Sequence, residues 1–484
     1  MKMSKTIDPS EISFYNQDMG VYKLRNTIKK YPWGSEVFLP ALLGMENPSH
    51  KPWAELWIGT HPLGESLVET DIGVIGLKDL ISSNPVAVLG KDASFKFSKD
   101  LPFLLKVLSA RSPLSIQAHP DKDQAETGYL RENGAGISLE APDRNYKDKN
   151  WKPELLCALT PFLALCGFRT PREIISFLTR FNSPLTERII ELLSSENPLK
   201  NAYNYLLSLG GEEKSKLLEV LIRESEKLEA EEDEWAARLL KEYPKDPLVL
   251  SPYIMNLITL KPGQAIFLPP GVPHAYLHGS GVEIMANSDN VLRGGLTAKH
   301  IDKSELLSVL KFEPVTPEIL VGKPFSKENV NGGAPVLGRN SSKARLDQNN
   351  PNLEGTEEVF YPAPVEEFLL SRLRITGRTL FYNQKNLVNG INPGTEVSAE
   401  VLGSPFPRLK TPAVSIFLCI SGELEVTTLD KLGTEVGEEV VAAHPTTPKT
   451  RLKIKTGESF LLPADEAGCE ITGKGVLFRA TIPG

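Results

Sequence analysis

The stretch Gly263–His274, Gly-Gln-Ala-Ile-Phe-Leu-Pro-Pro-Gly-Val-Pro-His, constrains the fold more than any other part of the chain. Its glycines allow tight turns, its apolar run has the length of a core strand, and its prolines fix how the chain enters the next strand. That next strand starts with His274 aimed at the interior. A comparable spacing recurs in Gly457-Glu458-Ser459-Phe460-Leu461-Leu462-Pro463. His274 lies five residues after Pro269, whereas Gly468 lies five after Pro463. Two similar strand-and-turn units predict two related β domains, the first with a metal-capable histidine and the second without one.

A chain of 484 residues also exceeds the roughly 250–300 residues at which single cores stop growing. From Tyr22 to about Val107, short apolar segments are cut by Pro, Gly and Asn, which reads as strands and turns. Between 171 and 250 the period lengthens. Arg172–Leu178 and then Glu212–Lys241 carry apolar residues at helical spacing, with Leu217, Leu218, Leu221, Ile222 and Leu228 as one stripe. Strand texture returns at Tyr253–Ala286, a turn-rich linker follows at Pro324–Pro364, and alternation resumes from Phe368 to Ile482. The expected architecture is mainly β with a helical insertion. Residues 21–170 and 251–320 form a metal-binding domain, 171–250 the helical insertion, and 321–484 a linker with a metal-free β domain.

A net charge of -7 provides no basic field to draw in a nucleic acid, but leaves room for a local cationic pocket and a small phosphorylated ligand. No apolar run approaches a membrane span, and the first twenty residues contain no uninterrupted apolar core, so a cytoplasmic protein is expected. The four cysteines, Cys157, Cys166, Cys419 and Cys469, form no CxxC pair and read as buried free thiols. Metal ligands must therefore be His, carboxylate or amide.

Ser115-Ile116-Gln117-Ala118-His119 alternates with period two, so Ser115, Gln117 and His119 share one strand face. Lys152 and Glu154, also two apart, can reach the same interior. A glutamine, two histidines and a glutamate suit zinc, while iron, cobalt and manganese stay open. Spacing alone equally allows interior histidines that are simply hydrogen-bonded.

The Gly263–His274 spacing resembles the second signature of cupin barrels. Tyr31-Pro32-Trp33-Gly34-Ser35, Ala54-Glu55-Leu56-Trp57, Gln117-Ala118-His119-Pro120-Asp121-Lys122, Lys152-Pro153-Glu154, Pro273-His274-Ala275-Tyr276-Leu277 and Asn287-Ser288-Asp289-Asn290-Val291-Leu292-Arg293 resemble, in order, the motifs of type I mannose-6-phosphate isomerases. The resemblance implies two cupin-like jelly-roll barrels plus an α-helical domain. It implies one zinc per chain, held by Gln117, His119, Glu154 and His274, and a hexose 6-phosphate substrate isomerised through an enediolate. Arg293 is the expected stabiliser, assisted by Lys152, Glu283 and Asp289. Lys299 and Ser115 are the expected phosphate or sugar contacts, with Trp33 and Tyr276 as sugar walls. A monomer or homodimer is expected, with neither nucleic acid nor membrane as partner. One position departs: Trp151 stands where the family usually has histidine before Lys-Pro-Glu, and indole cannot act as a base. An iron-dependent cupin dioxygenase and a non-catalytic sugar-phosphate sensor are the competing readings.

Overall fold

A computed structural model describes residues 20–70, 73–225, 229–324, 357–382, 413–429 and 450–483. The strand His274–Ala286 organises its first half. Residues 279–286 pair antiparallel with Phe103–Ala110, and residues 281–285 also with Glu154–Ala158. Toward its start the same strand pairs with Ile116–Ala118 and Phe162–Phe168. One strand thus joins two sets of partners into a single sheet, turning the corner between them.

The change of partner occurs where the register shifts between Tyr276 and His278, next to Gly279 at φ +121°. A side chain there would meet the Pro161 carbonyl at 2.6 Å and Phe162 Cα at 2.8 Å. Glycine is required twice over, by conformation and by space. Strands in this region are buried on both faces: every residue of Phe103–Ala110 and of Glu154–Ala158 is buried.

Around the long pair Ser415–Thr428 and Gly468–Thr481 lies the second sheet, which adds Leu369–Ile375, Ser459–Leu462 and further strands. Three strands from the start of the chain complete it: Tyr22–Arg25 pairs with Ser459–Leu462, then Leu67–Thr70 and Gly73–Gly76 follow. The expected division at residue 321 therefore does not follow the sheets. The physical reason is the core, in which Leu24, Val68 and Ile75 pack with Ile416, Leu461 and Phe478, continuous with Phe103, Leu155 and Ile284. The turn-rich linker lies outside the described residues from 325 to 356.

Helices also occur where strands and turns were expected, at Leu77–Ser83, Pro85–Leu89 and Lys91–Lys96. Asn84 caps the second of these by accepting from Ala87 N–H. Val88 and Ala87 carbonyls then accept from Ala464 and Asp465 N–H, stitching the segment to the second sheet.

The helical insertion forms as expected. Thr170 and Glu173 close a capping box ahead of Pro171–Leu178, and Pro184–Leu193, Pro198–Ser208, Gly211–Ser225 and Glu231–Glu242 share a core that includes Leu217, Leu221, Trp235 and Leu239. Within the expected stripe, Ile222 is instead 54% exposed and Leu228 lies outside the described residues. All four cysteines are free and buried. Among the described residues no helix is long and apolar enough to cross a membrane.

Because Gly279 lets one strand turn between two sets of partners, Gly279→Ala is expected to lower the unfolding free energy by about 1–3 kcal/mol in a urea titration. An unchanged midpoint would contradict this account of the corner.

Candidate metal centre

Three strands bring the ligand candidates together. His274 opens the long strand and lies directly opposite Gln117, Glu154 opens its own strand opposite Met285 and Leu268, and His119 follows Ile116–Ala118. His119, Glu154 and His274 are each at most 2% exposed. Their ligand atoms all lie within 4.8 Å of one another, with His119 Nε2 and His274 Nε2 each 3.3 Å from a Glu154 oxygen.

Each imidazole is oriented from behind. His119 Nδ1 donates to the Asn290 carbonyl at 2.8 Å and His274 Nδ1 to the Val272 carbonyl at 3.1 Å. That fixes the tautomer and turns each Nε2 lone pair inward, as second-shell bonds to metal-binding histidines do. His119 Nε2, His274 Nε2 and Glu154 Oε2 are buried with no hydrogen-bond partner. The 3.3 Å approaches therefore lack hydrogen-bond geometry. Leaving three buried polar atoms unsatisfied costs about 1–3 kcal/mol each, and a divalent cation relieves all three at once. The donor set fits such an ion.

Protonation states agree. Burial, reinforced by the Lys152 charge, pushes the His119 imidazole down to about 4, keeping it neutral and able to ligate. Burial, the largest influence, would raise the Glu154 carboxyl, but Lys152, 3.0 Å away, and the facing His119 and His274 together outweigh it and hold the group well below the usual carboxylate range.

Gln117 faces His274 on one side and Arg293 on the other, so the three occupy one row on one sheet face, spanning about 10 Å at ~4.8 Å per strand. Arg293 is half-buried, and burial lowers its pKa; Lys299, on the exposed rim, is lowered by burial and then by Arg293. Among the described residues no carboxylate offsets either charge. Ser115 and Trp33 are partly buried, and Trp33 stacks on Tyr31 at 5.7 Å. Tyr276 is 2% exposed and donates its hydroxyl to Glu283 Oε1 at 2.7 Å, so it lines the wall behind Glu283. Burial, then the Glu154 charge, raises the Glu283 carboxyl.

Several neighbours carried no expected role in the sequence. Lys106 is buried between Glu283 at 3.6 Å and Glu55 at 3.7 Å, and its ammonium sits 5.0 Å above the Trp57 ring. The two carboxylates overcome its burial and hold its pKa above the usual lysine range. A lone cation in the apolar run Phe103–Ala110 was the available signal. His61 Nε2 lies 3.1 Å from Asp289 Oδ2. The departing Trp151 points elsewhere, donating its indole N–H to Glu367 Oε1 at 2.7 Å beneath the Lys122 ammonium.

A family model described as phosphomannose isomerase type I, catalytic domain, matches residues 21–171. The mannose-6-phosphate isomerase of Escherichia coli is 36% identical over 94% of this chain and 98% of its own length. The human mannose-6-phosphate isomerase is 33% identical over 75% of this chain and 84% of its own. A Salmonella typhimurium mannose 6-phosphate isomerase solved with fructose 6-phosphate and zinc superposes with a TM-score of 0.75 at 33% identity, covering 96% of this chain and 100% of that one.

A histidine held neutral makes stability fall on acidification. With a folded pKa of about 4 against about 6.5 unfolded, the unfolded chain takes up a proton that His119 refuses. Its contribution is full above the unfolded value and is lost as pH falls from there through the folded one. Metal-free protein is expected to lose about 2 kcal/mol from this residue between about pH 7.5 and about pH 5. Urea titrations of wild type and His119→Gln check this, the variant showing the shallower decline.

Proposed function

The chain belongs to the type I phosphomannose isomerases, and from that premise we propose that it interconverts mannose 6-phosphate and fructose 6-phosphate through an enediolate. The observation that carries the reading is the trio of buried, unpartnered ligand atoms on His119, Glu154 and His274, with Lys152 against Glu154 and the row Gln117–Arg293 running on from His274. Gln117, His119, Glu154 and His274 would hold a zinc ion, which would supply Lewis-acid reduction of the cost of negative charge on the sugar oxygens.

Moving a carbonyl between C1 and C2 takes a proton off one carbon and returns it to its neighbour. A group that does this must meet the substrate, and the four candidates differ in access. Glu283 is 3% exposed and engaged by Tyr276 and Lys106. Lys152 is 7% exposed and turned to Glu154. Asp289 keeps 37% of its side-chain surface. Burial would raise its carboxyl, but the His61 contact and the charges of Lys152 and Lys106 hold it below the usual range, so it is an ionised base. Asp289 is the carboxylate we assign to proton transfer.

Arg293 stabilises the developing enediolate, and Lys299 with Ser115 holds phosphate. Two neighbouring cations without a counter-ion suit a dianionic group. Glu283 and Lys106 form the wall that keeps the chamber polar and shielded from water, and Trp33 covers the sugar. A cytoplasmic location follows from phosphorylated, membrane-impermeant substrates.

The deciding experiment is a coupled assay of fructose 6-phosphate formation from mannose 6-phosphate, run anaerobically. Activity is expected to be lost on chelation and restored by zinc; dependence on oxygen would support iron chemistry instead, and binding without conversion would support a sensor. Arg293→Ala is expected to lower kcat by about 100-fold or more with metal content unchanged. His274→Ala, in contrast, is expected to lose bound metal; retention of one tightly held zinc per chain would remove His274 from the ligand set.

A further inference from the structure

The geometry points to His61 as the positioning residue for Asp289: we propose that it anchors one carboxylate oxygen by a neutral N–H donor, leaving the other free to carry the substrate proton. The inference rests on the isomerase reading, and concerns a residue outside both the ligand set and the cationic row.

His61 lies in the loop after the strand Glu55–Ile58 and is 3% exposed. Its Nδ1 accepts the Leu63 N–H at 3.2 Å. Nδ1 therefore holds the lone pair, and the neutral ring carries its hydrogen on Nε2, 3.1 Å from Asp289 Oδ2. The ring is wedged edge-on against Trp57, with centroids 4.7 Å apart at 76°. Trp57 is in turn fixed by its indole N–H donating to Glu55 Oε2 at 2.8 Å. Nδ1 is committed to Leu63 and Nε2 lies within reach of the carboxylate, and the whole chain of contacts is buried up to Asp289.

A histidine serving only its own loop would end on backbone. This one ends on a carboxylate that retains exposure and lies in the field of Lys152 and Lys106. Asp289 is further held by its backbone N–H donating to Asp148 Oδ2 at 2.8 Å. With Oδ2 anchored, the plane of the carboxylate is set and Oδ1 remains for the substrate. A neutral donor also has a consequence that a lysine would not have. It orients the carboxylate without adding a third fixed charge beside the Lys106 and Lys152 ammoniums, and so lowers the basicity of Asp289 less than a permanently charged donor would.

Two amide substitutions separate positioning from loop structure. Asparagine can place an oxygen where Nδ1 stands and keep the acceptor for Leu63, but cannot reach Asp289. Glutamine can place an N–H near Nε2. We expect His61→Asn to lower kcat by about 10–100-fold, with KM within about threefold and zinc content unchanged, and His61→Gln to recover most of that loss. The acid limb of kcat/KM is expected to move upward in the Asn variant, as Asp289 loses its donor, and to return in the Gln variant. The charged or titratable groups facing Asp289 in that profile are His61, Lys106, Lys152, Asp148 and Tyr31.

A His61→Asn enzyme with wild-type kcat and acid limb overturns the proposal, as does a folded Gln variant equally impaired. Should the Asn variant not fold, the Gln variant decides alone: a retained acid limb supports positioning and a displaced one refutes it. Carbon-13 NMR titration of the Asp289 carboxyl, assigned with Asp289→Asn, reads the same contact without turnover. Wild-type protein inactive on hexose 6-phosphates in which that carboxyl still shifts in His61→Asn would overturn the isomerase reading while leaving the contact standing; no shift would overturn the contact.

Discussion

Glu154 is a carboxylate almost without water, and the chamber is arranged around that fact. Taking an anion into the interior costs several kcal/mol unless charges or hydrogen bonds replace its hydration. Lys152 supplies one neutralising contact at Oε1. The second oxygen and the two facing imidazole nitrogens have no partner within the protein. Three such atoms converge only because backbone carbonyls turn both imidazoles away from the hydrogen bonds they would otherwise make inside the fold. The chain holds a coordination geometry ready at the expense of its own polar satisfaction, a common mark of a site built for an ion.

Around this centre the charges alternate in space. Lys106 stands between Glu55 and Glu283, Lys152 beside Glu154, and Asp289 within reach of both lysines. Among the described residues no carboxylate offsets the Arg293 and Lys299 end. The carboxylates differ in access: Glu154 and Glu283 are enclosed, whereas Asp289 keeps exposure and has one oxygen against His61.

Trp151 is accommodated without touching this chemistry. Its indole N–H and ring are used by Glu367 and Lys122, which ties the segment ahead of Lys152 to the second sheet's side of the molecule. Neighbouring side chains on an extended segment point to opposite faces, so Lys152 can serve the centre while Trp151 serves the interface.

Local sequence determined whatever depends on local periodicity and turn chemistry. The strand ahead of His274 and the period-two face of Gln117 and His119 follow from side-chain alternation; the helical insertion follows from caps and apolar spacing. His119, Glu154 and His274, whose ligand atoms converge, were legible too, as residue types at fixed offsets in motifs. Tertiary structure alone decided which sheet the first strands join, because Tyr22–Arg25 pairs with residues more than four hundred positions away, and nothing local encodes that partner. It also gave Lys106, Glu55 and His61 their places. Each is a single polar residue in an apolar or turn-rich setting, and its significance arises only when burial removes water and leaves one specific charge to face.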